Sequence, residues 1–196
     1  MLIVLASIII FFEVARRIIN LIKTDDYSLL NLARIILPRP GCAISCWLVV
    51  IAVFVNKKFM YNFASIISIL CGTIFFAYPE AGYNNQYLLF ENVYSIFTHT
   101  TFMILAICFI TYKFTDFRYK DISKELIAFA ILALYILIEI LLNIEGDPFY
   151  FLPNNDVQEI VSLSYPLFIT LYSFFIIIYF NIFYLIQDRK LIFKRK

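Results

Sequence analysis

His99 and Cys42 are the two side chains in this sequence whose types could together do chemistry at membrane depth. His99 is the only histidine of a chain that is 63% hydrophobic, and it sits in an apolar run from Asn92 to Tyr112. An imidazole accepts a proton near neutral pH, and a polar group inside such a run is costly to bury. A thiol becomes a nucleophile once a neighbouring base withdraws its proton. A cysteine and a histidine that meet in space are therefore the minimum set for thiol acyl transfer. The structural alternative is a lone histidine that only hydrogen-bonds between helices. Cys46 lies one helical turn from Cys42 and can share its face. Even so, Cys42, Cys46 and His99 fall short of a zinc centre, which takes four protein ligands when structural and three plus water when catalytic. No metal and no soluble cofactor are expected.

Other polar residues sit close enough in sequence or depth to serve such a site. Glu13 could orient His99 or bind a lipid head group, but the spacing favours pairing with Arg16 and Arg17, three and four positions on. Asn92, Tyr94, Thr98, Thr100 and Thr101 surround His99, and any of them could donate to an oxyanion. Threonine hydroxyls in membrane helices more often bond back to the carbonyl four residues earlier. Glu139 is an intramembrane carboxylate one turn from Asn143, where a functional role and a solvated or paired one fit equally well.

These residues need elements to hold them, and composition says which kind. The chain has 196 residues, 15% charged, and a mean hydropathy of +0.86, which is a polytopic membrane composition rather than a soluble one. Since about 20 apolar residues cross a bilayer, six spans are expected, at 1 to 21, 37 to 56, 60 to 78, 92 to 112, 126 to 144 and 165 to 187. Backbone hydrogen bonding in lipid makes them helices, so the expected fold is all-α, one transmembrane domain over 1 to 196. The segment 22 to 36 reads as a loop with a short amphipathic helix, and Pro38 and Pro40 mark the start of the second span. Met1 to Phe12 lacks a basic flank and a small-residue cleavage site, so it reads as a first span rather than a secretory peptide.

Charge sets the orientation. With both termini cytoplasmic, the inner side carries eleven Lys and Arg and the outer side five. The two later outer loops hold acids, among them Glu80, Glu91, Asp147 and Asp156, and no Lys or Arg. The basic residues lie in separate loops rather than one patch, so a nucleic-acid partner is not expected. The four cysteines lie in or beside apolar segments and imply no disulfide framework. In this frame Cys42 and His99 share a similar depth in the outer half of the membrane.

Three short motifs resemble those of the bacterial YwaF-type membrane proteins, which are similar to the animal transmembrane protein 164 acyltransferases. The first opens a span with Leu37, Pro38, Arg39, Pro40, Gly41 and Cys42. The second runs from Tyr94 through Ser95, Ile96, Phe97 and Thr98 to His99. The third is Asn143, then Gly146, Asp147, Pro148, Phe149, Tyr150, Phe151 and Leu152. The chain departs from the family pattern at Pro40, where the family has histidine, and at Pro148 and Phe149, where it has Asn-Tyr. The resemblance implies a multi-pass cell-membrane acyltransferase or transacylase acting on phospholipids and lysolipids. Cys42 would be the nucleophile and His99 the base, with Glu13, Asn92, Tyr94, Thr98 and Asn143 around the substrate.

A rival class is the substrate-binding membrane subunit of a vitamin-uptake transporter, which also packs six helices into under 200 residues without a nucleotide motif. Such subunits carry a small-residue stripe on the first span for docking. Here Ala6 and Ala15 are nine apart in a bulky segment, and only four glycines are present to let helices approach closely.

Overall fold

The computed structural model describes residues 1–38, 41–77, 90–142, 144, 153 and 162–193, and all regular elements among them are helical. In chain order the α-helices are α1 Leu2–Lys23, α2 Leu29–Ile36, α3 Gly41–Val55, α4 Lys58–Ala77, α5 Phe90–Thr111, α6 Ile122–Leu141 and α7 Tyr165–Phe193, with a 3-10 turn at Tyr119–Asp121 leading into α6. By contacts the chain forms two compact units, Met1–Asp116 with α1 to α5, and Phe117–Lys196 with α6 and α7.

Among the described residues three helical stretches are long and apolar enough to cross a membrane: Lys58–Ala77, Val93–Thr111 and Tyr165–Ile186. The others fall short for identifiable reasons. In α1 the charges of Glu13, Arg16 and Arg17 interrupt the run, and in α6 those of Lys124, Glu125 and Glu139 do. Helix α3 has 15 residues, about 22 Å at 1.5 Å each, against a hydrocarbon core of about 30 Å. It starts four residues later than the expected second span because Leu37, preceding Pro38, is held extended at φ −66°, ψ 148° and ends α2 instead. Arg39 and Pro40 lie outside the described residues.

The amphipathic helix expected within 22 to 36 is α2. Ser28 caps it by accepting the Asn31 amide, and Asp26 in turn accepts the Ser28 amide at 2.9 Å. At its other end the Arg17 Nε donates to the Ile36 carbonyl at 2.9 Å, answering one of the orphan carbonyls of a helix C-terminus from a different helix.

In the first unit α3 and α4 are joined by a tight turn in which Asn56 adopts φ 52°, and α3, α4 and α5 pack side by side. Their shared interior holds Ile66, Ile67, Phe102, Leu105, Ala106 and Phe109, with Tyr61 edge-on to Phe109 at 4.7 Å. Gly72 lets α4 and α5 approach closely: a Cβ there would lie 3.0 Å from the Met103 sulfur. Below α5, Lys113 at φ 61° turns the chain back, and the Asn62 side chain fastens the turn by bonding both the amide and the carbonyl of Asp116, at 2.8 and 3.1 Å.

In the second unit Phe117 packs against Phe183 and Tyr184, and Phe129 packs against Phe180. Along α7 the residues Leu167, Leu171, Phe174, Phe175, Ile177 and Ile178 stay exposed. An apolar surface of that extent suits contact with lipid chains rather than water.

Candidate functional site

One polar cluster of the first unit lies where the second half of α1, the end of α2, the start of α3 and the first turns of α5 converge. Glu13 is its centre and is 1% exposed. One carboxylate oxygen, Oε1, accepts the Tyr94 hydroxyl from α5, and the other, Oε2, accepts Nη1 of Arg17. Arg17 Nη1 also donates to the Glu13 carbonyl at 3.0 Å, and Arg16 Nη2 sits 3.7 Å from Oε2. The two guanidinium groups each lie over an aromatic ring, Arg16 5.3 Å from the Tyr94 centroid and Arg17 5.6 Å from that of Trp47 on α3. Helical spacing places the arginines beside the acid, as the sequence suggests, so Glu13 is spent on Arg16, Arg17 and Tyr94 and does not orient His99.

His99, 5% exposed, stands five residues beyond Tyr94 on α5. Its ring stacks on Phe75 of α4, with centroids 3.7 Å apart and planes 13° off parallel, and meets Phe102 at 5.0 Å. Nδ1 lies 2.7 Å from the Ser95 carbonyl. A carbonyl only accepts, so Nδ1 carries a proton, and in the neutral ring the basic lone pair is then on Nε2. That Nε2 is buried and has no partner among the described residues. An unmet buried acceptor costs about 1–3 kcal/mol, so it needs an explanation.

Cys42, at the second position of α3, is half-buried, and its thiol hydrogen-bonds to the Cys71 thiol on α4 rather than to His99. Cys71 is one turn before Phe75, the ring on which His99 stacks. Cys42 and His99 are thus anchored to the same face of α4, one turn apart, about 6 Å along the axis. The structure brings both to one end of the unit without joining them. Cys46 is buried beside the Glu13 and arginine cluster. Among the described residues no group of three His, Cys, Asp or Glu could hold a metal ion.

The remaining candidates separate. The Thr98 hydroxyl donates to the Tyr94 and Ser95 carbonyls at 2.9 and 3.1 Å, and that of Thr101 to Phe97 at 2.7 Å, the back-bonding expected of threonine in an apolar helix. Glu139 is 2% exposed on α6 and accepts the Tyr135 hydroxyl at 2.7 Å, a paired role. The Asn92 side chain and Asn143 lie outside the described residues, as do Gly146 and Pro148 of the third motif.

Sequence reasoning takes mid-span Cys71 for packing and misses Phe75 and Trp47. Each is an apolar-looking residue on a neighbouring helix, and periodicity along one strand of sequence says nothing about which rings face across a bundle.

Among the described residues, fold and site together define an all-α protein with three helices able to cross a membrane, a buried carboxylate held by two arginines and a tyrosine, and a buried histidine whose Nε2 has no partner. Set beside known proteins, the chain matches no family model, no curated protein and no solved structure.

Proposed function

We propose that this is a multi-pass cell-membrane protein of six spans with both termini cytoplasmic, and that it transfers acyl groups between phospholipids and lysolipids using Cys42 and His99. The observation that carries the reading is the setting of His99: Nδ1 lies 2.7 Å from the Ser95 carbonyl, and the buried Nε2 has no partner among the described residues. Cys42 is the proposed nucleophile, and its contact with Cys71 sets it beside the face of α4 that carries Phe75, the ring on which His99 stacks. Catalytic hydrogen bonds are often unformed before substrate binds, and the scheme requires the Cys42 thiol to leave Cys71 for Nε2.

In this scheme Nε2 takes the Sγ proton, and the thiolate adds to an ester carbonyl of the phospholipid. The tetrahedral intermediate collapses, the C–O bond breaks, and the lysolipid oxygen leaves with the proton from His99. The acceptor hydroxyl then gives its proton to Nε2, attacks the thioester, and Cys42 regains the proton as its thiolate departs. Atoms balance with no further reactant.

The test is acyl transfer from a labelled phospholipid by the purified protein. Cys42→Ser and His99→Ala are each expected to reduce transfer by at least a hundredfold, the scale of general-base and nucleophile contributions. Undiminished transfer in both variants would exclude these roles. Tight binding of a small hydrophilic vitamin without turnover would favour the transporter reading instead.

A further inference from the structure

We propose that Arg16, Arg17 and Trp47 form a binding site for a phosphate-type oxyanion of single negative charge at the convergent end of α1, α3 and α5. The argument begins with a count of donors and acceptors. Glu13 offers the only side-chain carboxylate on the described residues of this cluster, and both its oxygens are taken, Oε1 by Tyr94 and Oε2 by Arg17 with Arg16 close by. The Ile36 carbonyl takes Arg17 Nε. Three buried donors then remain with no acceptor among the described residues: Arg16 Nε, Arg17 Nη2 and the Trp47 indole Nε1. Arg17 is 9% exposed, and its guanidinium lies 5.6 Å from the Trp47 ring centroid, so the side chains that carry two of the three donors adjoin.

Charge points the same way. Among the described residues one carboxylate faces two guanidinium groups, so one positive charge there has no counter-charge, and Arg17 is the more buried of the two, with side-chain exposures of 11% against 24% for Arg16. An uncompensated buried charge is strongly unfavourable, and a guanidinium cannot shed its proton to avoid it. Water could satisfy the N–H groups but not the charge. A phosphate or phosphodiester supplies both several acceptor oxygens and the missing negative charge, and arginine's planar fork fits it in paired hydrogen bonds. A lipid headgroup and free phosphate share that chemistry. The headgroup as occupant rests on the acyl-transfer reading, whereas the anion site itself does not.

Binding is measured without turnover, so failure here leaves the Cys42 chemistry standing, and failure of acyl transfer leaves this site standing. The full-length protein in a maltoside detergent, which carries no phosphate, is melted with added inorganic phosphate and with sodium chloride at matched ionic strength. A second arm compares short-chain phosphatidylglycerol with the diacylglycerol of the same chains. A ligand that binds only the folded state raises the melting midpoint in a saturable way. The expected result is such a rise with phosphatidylglycerol or with phosphate, beyond that with diacylglycerol or chloride. A response to the lipid alone identifies a headgroup, and a response to phosphate alone a free anion.

Trp47→Phe removes one donor and keeps the ring under Arg17, while Arg16→Lys keeps the charge and removes the fork. Each is expected to weaken the apparent affinity about tenfold, as for loss of one hydrogen bond to a charged group. Should Arg16→Lys not fold, Trp47→Phe decides alone. The proposal is overturned if neither probe raises the midpoint beyond its control, or if the rise keeps the wild-type affinity in every variant that folds.

Discussion

The Tyr94 hydroxyl donates to the Glu13 carboxylate across 81 positions of sequence, so the first turns of α5 are tied to the second half of α1 by a buried hydrogen bond to charge. Phe12 and Phe97 meet beside it at 4.9 Å, closing the same seam with apolar contact. Tyr94→Phe removes the donor and leaves Oε1 buried without one. It is expected to lower stability by about 1–3 kcal/mol, read as a lower melting midpoint in detergent. A midpoint equal to the native one would show that the bond contributes nothing to stability.

Breaking the Glu13 and Arg17 pair from one side should cost more than removing both partners. The pair is buried, with side-chain exposures of 1% and 11%, so either single loss strands a charge in a low-dielectric place. Glu13→Leu or Arg17→Met alone is expected to destabilise by about 3–5 kcal/mol, and the double variant by less than the two effects summed. Additive effects in that cycle would argue against direct coupling.

Much of the helical layout was legible in the sequence, and the reason is physical. Apolar length and proline set helix extents, so the expected spans at 60 to 78 and 92 to 112 fall within two residues of α4 and α5. The i+3 and i+4 spacing likewise foretold that Arg16 and Arg17 would meet Glu13. The turns were less legible, because Asn56 and Lys113 adopt positive φ without a glycine to announce it. Least legible was the partner of each reactive group. Shared depth put Cys42 near His99, but depth leaves the rotation of each helix undetermined, and that rotation gave Cys42 to Cys71 and the His99 ring to Phe75.

Gly72 sets how near α4 comes to α5 one turn below His99. A Cβ at this position would meet the Met103 sulfur at 3.0 Å and its Cβ and Cγ at 3.3 Å. The flexible sulfur can move, whereas the Met103 Cβ moves only with the helix. Gly72→Leu is therefore expected to force the two helices apart and to destabilise by about 1–3 kcal/mol, the range for overpacking. Because Phe75 and His99 are one turn away on the same two helices, acyl transfer should fall as well. A stable variant with full transfer would show that the seam tolerates widening.

The acid and base limits of the exposed Asp121 and Lys124 pair set a pH window outside the spans. A hydrogen bond from Lys124, 2.5 Å long, holds the Asp121 carboxyl below its ordinary 3.8 and raises the Lys124 ammonium above its ordinary 10.5. The depressed carboxyl stabilises the fold above pH 3.8, and that contribution is lost as pH falls through its lowered value. The raised ammonium stabilises below pH 10.5, and its contribution is lost as pH rises through its raised value. Asp121→Asn should thus lower the melting midpoint only inside the window, and only at low salt, since exposed pairs are screened. A difference that persists in molar salt would contradict a purely electrostatic pair.

The contact between the Cys42 and Cys71 thiols makes the proposed nucleophile open to chemical capture. Hydrogen-bonded thiols on adjacent helices are close enough to be joined by a mild oxidant, losing two protons and two electrons to it and forming one S–S bond. Treatment with copper phenanthroline and oxygen should therefore consume two of the four free thiols in the native chain, and none in Cys42→Ser or Cys71→Ser. Under the acyl-transfer reading, the oxidised native protein is inactive and a reductant restores it. Cys71→Ser leaves the nucleophile in place, so its transfer should survive oxidant treatment. Loss of two thiols in Cys71→Ser would instead pair Cys42 with another cysteine, and transfer abolished in Cys71→Ser before any oxidation would move the nucleophile from Cys42 to Cys71.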